Sequence, residues 1–463
     1  MVESKPTTFR APVIALLALT GLVALLYLLT HPPSAMIGKP DFNAFYCAGK
    51  VLISGSDPYR YGPMHQCETT NLHPVTPNAI VPAPLPPYGL AELAPLSMIP
   101  YAQASVLWYL LLVGSAVVII WAVVELAGLP LLLVAACVVL SILFQPLNLS
   151  ALPPIPIALL TAAALAVERG RHTIAAVLLG LACIQPHVAI PPMLASFVAV
   201  PRMRLPIAGV GAILAAITLV VGGVPLNIEY LHAVLPAHAL SEIGAYGQYS
   251  LSAILHAFGA SDRVALLVGS LQYLAFVVAG VLLAYSLKKK VPGSVVLAPL
   301  ACAVAGGTFI HLPEVSGALP FALVLLASQQ SVFAWLGVML LAIPWQTVLE
   351  DRLAGIAGVV AFAVLYYGRR VRPLLAGVIS IALAAALWRA QDFVPDHGPI
   401  RAISSVPDAA LAEAGWAQLA AQFPPTAFYW PSHFLTYLGL AFVYLTAFAI
   451  SRTHERSTGP VAV

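Results

Sequence analysis

Apolar runs alternate with short polar segments from Pro12 to Ile450. A bilayer core of about 30 Å takes about 20 helical residues, and several of these runs are shorter, so we expect some to be tilted, half-inserted or paired. The pattern predicts an all-α polytopic membrane protein built as a helix bundle with about 12–14 membrane segments. The predicted segments are 12–30, 103–124, 130–147, 155–167, 173–185, 188–200, 205–223, 264–287, 294–310, 315–328, 331–346, 354–367, 373–388 and 432–450.

Composition supports a single integral-membrane domain over residues 1–463. The chain is 60% hydrophobic and only 8% charged, whereas a soluble domain carries about 25% charged residues. The net charge is +3, and the basic residues lie in short clusters between apolar runs. This distribution argues against a nucleic-acid partner. The first apolar run lacks a small-x-small cleavage site in the following HPPSAM, so we interpret it as a retained helix and not as a signal peptide.

Positive charge predicts the orientation of the bundle. Most of the 21 lysines and arginines fall in short segments that share one side if the N-terminus is cytoplasmic. Both termini are then cytoplasmic, including a tail at 451–463, and the long segments 31–102, 224–263 and 389–431 lie outside. We expect these outer segments to hold most of the non-helical chain and the chemistry. They contain Asp41, Asp57, Glu229, His232, Glu242 and Asp392.

The stretch KPDFNAFYCAGKVLISGSDPYR, residues 39–60, follows the first apolar run directly. Its apolar positions predict a helix lying along the membrane surface, which would hold Asp41 at a fixed depth. A carboxylate at the water–lipid boundary can deprotonate a hydroxyl beside a lipid-borne leaving group. The alternative is a carboxylate that is merely solvated among the headgroups.

The first outer segment also contains Cys47 and Cys67. In an oxidising compartment such a pair predicts a disulfide closing a loop of about twenty residues, worth about 3 kcal/mol; two free thiols are the alternative. Cys137, Cys183 and Cys302 fall within apolar runs and are interpreted as small core residues.

The segment from Pro82 to Leu112 is rich in prolines, and they exclude a long helix before about Gln103. The chain must therefore run along or dip into the interface here. Tyr88 and Tyr101 could join an aromatic belt at that level, or the segment is only a proline-rich connection.

Two further apolar stretches are interrupted by polar groups. IQPHVAIPP contains Gln185 and His187, and FIHLPEVSG contains His311 and Glu314. Ionisable residues at membrane depth favour a functional role, with the histidines as donors to a phosphate. The alternative for each is a buried hydrogen-bonded pair that only orders helix packing. We find no metal-ligand spacing and no cofactor motif.

Three stretches together resemble glycosyltransferase family 87. They are DFNAFYCAGKVLISGSDPY from Asp41, PLPPYGLAELAPLSMIPYAQASVLW from Pro84 and RHTIAAVLLGLACIQPHVAIPP from Arg171. The resemblance implies a GT-C membrane enzyme of the bacterial plasma membrane that transfers a sugar, most often mannose, from a polyprenyl-phosphate donor. The acceptor would be a lipid or glycan hydroxyl on the extracytoplasmic face, and the anomeric configuration would invert.

The resemblance assigns the catalytic carboxylate to Asp41. It also implies a lysine before the proline of the third stretch, where this chain has Gln185, so His187 or Lys50 would have to neutralise the phosphate. The candidate donor-binding residues are Lys50, Tyr59, Gln185, His187, His311 and Glu314.

Two other functions remain open on the sequence alone. A transporter or flippase of envelope lipids would also have many short helices and buried polar residues, but it is expected to show two matching halves, and no internal repeat stands out. A non-catalytic assembly partner has no positive signature here.

Overall fold

A computed structural model of the chain describes residues 39–71, 80–245, 247–343, 345, 404–421 and 430–452. Within these ranges the fold is helical, and the only β-type pairing is two isolated bridges, Arg60–Leu411 and Gln248–His311. The α-helices are α1 Pro40–Ile53, α2 Tyr61–Asn71, α3 Pro87–Leu93, α4 Tyr101–Ala127, α5 Leu131–Val138, α6 Phe144–Leu149, α7 Pro154–Glu168, α8 His172–Ala182, α9 Pro186–Ala199, α10 Arg204–Glu229, α11 Leu235–Glu242, α12 Leu251–Ala257, α13 Asp262–Leu287, α14 Ser294–Ala303, α15 Leu312–Val315, α16 Leu319–Ser328, α17 Val332–Ala342, α18 Ala412–Ala420 and α19 Trp430–Arg452.

Among the described residues, four helical stretches are long and apolar enough to cross a membrane, and they make this a multi-pass membrane protein. They are Tyr101–Ala127, Pro201–Glu242, Asp262–Leu287 and His433–Arg452. Shorter apolar helices, α7, α8, α9 and α14 among them, pack between the long ones. The all-α prediction is confirmed for the described chain. The predicted segments 12–30, 354–367 and 373–388 lie outside the described residues.

The proline-rich segment behaves as predicted. It forms only the seven-residue helix α3 and the 3-10 turn Ala94–Met98, and the first long helix begins at Tyr101. Proline lacks the backbone N–H that a helix interior requires, so a continuous helix cannot form before Pro100.

Much of the predicted outer segments is helical, and this includes the predicted surface helix after Asp41. Residues 31–102 contain α1, α2 and α3, and residues 224–263 continue the helix that begins at Arg204 through a π-helical turn, Tyr230–Val234, into α11. The predicted segment 205–223 ends before Pro225, whereas the helix continues past this proline, although proline usually disrupts the helical hydrogen bonds that precede it.

Gly223 explains how the helix passes Pro225. Its backbone, at φ 59° and ψ −177°, lies in a region open essentially to glycine, and the helix axis kinks there. The Asn227 amide donates to the carbonyl oxygens of Thr218 at 3.0 Å and Gly223 at 2.6 Å. A side chain thus satisfies carbonyls at the interrupted helix, as membrane helices require.

Buried side chains form two main clusters. The larger runs through the bundle, chiefly α4, α7, α8, α14 and α16. The second joins α1, α3, the start of α4 and α18, with Phe42 stacked between Tyr101 and Trp108 at ring distances of 5.8 and 5.1 Å. This packing fixes the start of α1 against the bundle.

Candidate active site

A cavity of about 1230 Å³ lies where the two clusters meet. Its walls come from the start of α1, the start of α9, α11, α13, the segment before α15, and α18. Most of the lining is apolar. The acidic, amide and histidine side chains that line it are Asp41, Gln185, His187, His238, Glu242, His311 and Glu314.

Asp41 is held by the first turn of α1. Pro40 occupies the first helical position and Asp41 follows it, where proline is favoured and a carboxylate interacts well with the helix dipole. Burial raises the pKa of Asp41 to about 7; nearby His311 opposes that rise, whereas Glu242 and Glu314 add to it. The site therefore contains a carboxyl group that can change protonation state near neutral pH.

His311 is the centre of the polar network. Its Nε2 lies 3.2 Å from Glu242 Oε2, and its backbone N–H donates to Glu314 Oε2 at 2.9 Å. Burial alone would lower the pKa of His311, but its hydrogen bond to Glu242 and the negative charges of Glu242, Glu314 and Asp41 raise it to about 9. The geometry favours an imidazolium surrounded by three carboxyl groups.

Gln248 holds this network in place. Its amide nitrogen donates to Glu242 Oε2 at 3.2 Å, and its amide oxygen accepts from the Ile310 N–H at 2.9 Å. One bond joins Gln248 to Glu242 at the end of α11, and the other joins it to the residue before His311. Gln248 therefore fixes the position of the His311 ring relative to α11.

Two more histidines flank Phe309. The rings of His187 and His238 meet it edge-on, with centroids 5.6 and 4.7 Å away. His187 Nε2 and His238 Nδ1 are buried and have no hydrogen-bond partner among the described residues. Such atoms are costly unless a ligand or water satisfies them, so they are positioned to bind a polar group that enters the cavity.

Gln185 stands at the N-cap of α9, immediately before Pro186 and His187. Its Oε1 is also buried without a partner in the described part of the chain. The start of this 14-residue helix lines the cavity, and the positive end of a helix dipole attracts anions.

The structure does not bring every predicted site residue to the cavity. Lys50 is exposed at the end of α1, with its Nζ 6.0 Å from the centre of the Tyr46 ring. Tyr59 is buried, its hydroxyl donates to the Leu85 carbonyl at 2.7 Å, and its ring stacks on Tyr230. Tyr59 therefore supports the wall behind Leu85, whereas Asp41, Gln185, His187, His311 and Glu314 share the cavity.

Cys47 and Cys67 are joined by a disulfide that connects α1 to α2. Asn71 places its amide 3.1 Å from Asn43 Oδ1 and 3.4 Å from the Cys47 sulfur. Both features fix α2 against the helix that carries Asp41.

Arg60 joins three distant parts of the chain beside α1. Its guanidinium contacts Asp57 at 3.2 Å and Asp408 at 3.3 Å, and it is also paired with Glu229. The segment around Asp408 is thereby attached to the end of α10 and to the turn that follows α1.

Sequence reasoning missed His238 and Trp416 and treated Glu242 only as an outer acid. His238 and Glu242 are four residues apart, the spacing that places two side chains on one helix face, and that signal could have identified them. Trp416 carries no such signal. Its place in the cavity wall depends on contacts between segments more than 300 residues apart.

These features define a multi-pass membrane protein with a polar site set into an apolar cavity. A sequence model of glycosyltransferase family 87 matches residues 85–313, and over these residues the chain belongs to this family. The match covers the chain from the segment before α3 to the start of α15 and so includes Gln185, His187, Glu242 and His311. Searches of the curated proteins and of the solved structures gave no match.

Proposed function

We propose that this glycosyltransferase moves a hexose or pentose, with mannose favoured, from a polyprenyl-phosphate donor to a hydroxyl of a lipid or glycan acceptor. The transfer inverts the anomeric centre and takes place on the extracytoplasmic face of the plasma membrane. The observation that carries the proposal is the position of Asp41 beside His311 in a cavity formed partly by membrane-spanning helices.

Asp41 acts as the general base. It accepts the proton of the acceptor hydroxyl while the hydroxyl oxygen forms a bond to the anomeric carbon. The bond from that carbon to the phosphate oxygen breaks, and the electron pair leaves with polyprenyl phosphate. A base with a pKa near 7 suits this step at neutral pH, because it is ionised yet still basic.

The phosphate is stabilised by His311, His187 and the start of α9. His311 supplies positive charge, and the buried His187 Nε2 supplies a nitrogen that lacks a partner in the described structure. The positive end of the α9 helix dipole adds to this stabilisation. This set replaces the lysine that the family resemblance implies at Gln185.

Glu242 and Gln248 position His311, and Glu314 holds its backbone.

A lipid-linked donor suits the apolar part of the cavity. Tyr273 and Leu274 of the span α13 line it together with residues of α11, so its walls reach helices that present apolar surface to the bilayer. A polyprenyl chain can remain in such surroundings while its phosphate meets the polar network.

The direct test is sugar transfer in proteoliposomes. Purified protein is supplied with a radiolabelled polyprenyl-phosphate sugar and lipid or glycan acceptors, without ATP or nucleotide sugar. We expect labelled acceptor to form. Movement of the donor between leaflets without transfer would instead support a flippase and overturn the proposal.

The Asp41→Asn variant tests the assignment of the base. It retains the size of the side chain but removes the basic oxygen, so we expect donor binding to persist while turnover falls about 10²–10⁴-fold. Asp57→Asn is the matched control, because Asp57 accepts from the Tyr59 N–H at 2.9 Å and pairs with Arg60 outside the cavity lining. It should mainly reduce stability. Full turnover in Asp41→Asn would show that the base is misassigned.

A further inference from the structure

Trp416 of α18 lines the same cavity as Asp41. Its indole Nε1 is buried and finds no hydrogen-bond acceptor among the described residues. A buried N–H without a partner is unfavourable by about 1–3 kcal/mol, and an indole usually pairs its N–H when it is buried. This donor therefore indicates a ligand with an acceptor oxygen.

The helix that carries Trp416 is held firmly against the first outer segment. The Tyr61 N–H donates to the Ala410 carbonyl and the Ala412 N–H donates to the Tyr59 carbonyl, both at 2.9 Å. Asp408 adds its contact with Arg60. A segment close to the end of the chain is thus paired directly with the residues that follow α1.

Gly415 allows the close approach of α18. A Cβ atom added at this position would lie 2.6 Å from the Tyr61 ring and 3.0 Å from Ile80 Cγ1. Both distances are shorter than side chains normally tolerate, so only glycine fits without displacement. Trp416 follows it immediately, and its place in the cavity wall depends on this contact.

The charge of the segment that contains α18 indicates which substrate, the phosphate-bearing donor or the acceptor, lies against it. Residues 404–421 contain no lysine, arginine or histidine, so this wall offers no positive charge to a phosphate, whereas the histidines His187, His238 and His311 belong to other elements. In an inverting reaction the acceptor must approach the anomeric carbon from the side opposite the phosphate. A neutral, polyhydroxylated ring suits the Trp416 wall, because the C–H bonds of a pyranose carry partial positive charge and an indole face is negative.

We propose that Trp416 forms the acceptor subsite, where a pyranose ring of the acceptor stacks on the indole and accepts a hydrogen bond from Nε1. The assignment rests on the proposed transferase function, and it adds that the acceptor ends in a sugar. Trp416 is a binding residue and takes no part in proton transfer.

Ligand-observed saturation-transfer NMR on the protein in lipid nanodiscs tests the subsite without requiring turnover. The probes are the methyl pyranosides of mannose, glucose and galactose. We expect the wild type and Asp41→Asn to bind at least one of them. Trp416→Phe, which keeps a ring and loses the N–H, should bind about 3–10-fold more weakly. Trp416→Ala should weaken binding by more than about tenfold, since the stacking face is lost as well.

Trp121→Phe is the matched control, because Trp121 is exposed on the membrane span α4; it should leave pyranoside binding unchanged.

In transfer assays Trp416→Phe should raise KM for the acceptor and leave KM for the donor unaltered. Wild-type binding in Trp416→Phe and Trp416→Ala, an increase confined to the donor KM, or the absence of any pyranoside binding by the wild type would each overturn the subsite. If pyranosides bind through Trp416 but no sugar is transferred from polyprenyl phosphate, the proposed donor is wrong, and Trp416 is still the residue that binds a pyranose in this cavity.

Discussion

At the scale of single residues, the chemistry depends on how three carboxyl groups share one imidazole. Asp41, Glu242 and Glu314 all interact with His311, and their proximity makes the protonation of each depend on the others. Glu242 is the direct hydrogen-bond partner of His311 Nε2. A site whose residues must hold particular protonation states is active only within a limited range of pH.

The pH profile of kcat/KM should therefore be bell-shaped. Asp41 must be ionised to accept a proton, so activity is lost as pH falls through about 7; His311 must be protonated, so activity is lost as pH rises through about 9. Glu242→Gln removes a negative charge that raises the pKa of His311, and it should move the alkaline limb to lower pH. An alkaline limb that Glu242→Gln leaves in place would remove His311 from the mechanism.

At the scale of elements, the site depends on helices that are kinked or joined together. The kink at Gly223 lies within α10 and redirects the chain that leads to α11, whose His238 and Glu242 line the cavity. The disulfide between α1 and α2 restrains the helix that carries Asp41.

Gly223→Ala should destabilise the protein by about 1–3 kcal/mol, because alanine is strained at this backbone geometry. Gly211→Ala on the same helix is the control. A Cβ at Gly211 meets nothing within 4 Å of the described structure and its backbone is helical, so the change should be neutral or stabilising by up to about 1 kcal/mol. Thermal unfolding in one detergent compares the two variants, and equal melting temperatures would contradict the role of the kink.

Replacing Cys47 or Cys67 with alanine should cost about 3 kcal/mol, since the unfolded chain regains the freedom of the loop of about twenty residues. Cys137→Ala, which removes one buried sulfur, should lower the melting temperature less. Mass spectrometry under non-reducing conditions should show a single linked peptide pair. Free thiols at both positions in freshly purified protein would contradict this account.

At the scale of the whole molecule, orientation decides where the reaction takes place. Basic residues cluster in the loops at Arg169–Arg171 and Lys288–Lys290, which the positive-inside rule assigns to the cytoplasm. Part of the cavity lining comes from the long segments assigned to the other side, 31–102, 224–263 and 389–431.

Reporter fusions should locate positions after Arg171, Lys290 and Arg372 in the cytoplasm. Fusions near Gln66, Gln248 and Asp408 should report the opposite side, because charged loops are retained where they are synthesised. An external signal after Lys290 would reverse the orientation and remove the argument for a donor presented outside the cell.

The sequence predicted local features well and long-range assembly poorly. Apolar length located the helices, proline chemistry located the break before Tyr101, and the polar groups at His187 and His311 were recognised as unusual. The position of Glu242 in the cavity was not predicted, because it requires a helix that continues past Pro225. Lys50 was assigned to the donor without knowledge of helix direction, and the structure places it on the exposed end of α1.

Arg60 is paired with Asp57, Glu229 and Asp408. These contacts also bear on the stage of synthesis at which the enzyme becomes active. Ribosomes add about 5–20 residues per second, so Arg60 and Asp57 emerge together, Glu229 follows later, and Asp408 emerges after all three. The contacts of Arg60 beside the helix that carries Asp41 are therefore complete only once the segment around Asp408 has been made. We expect a nascent chain that is already inserted in the bilayer to stay inactive until that segment has docked.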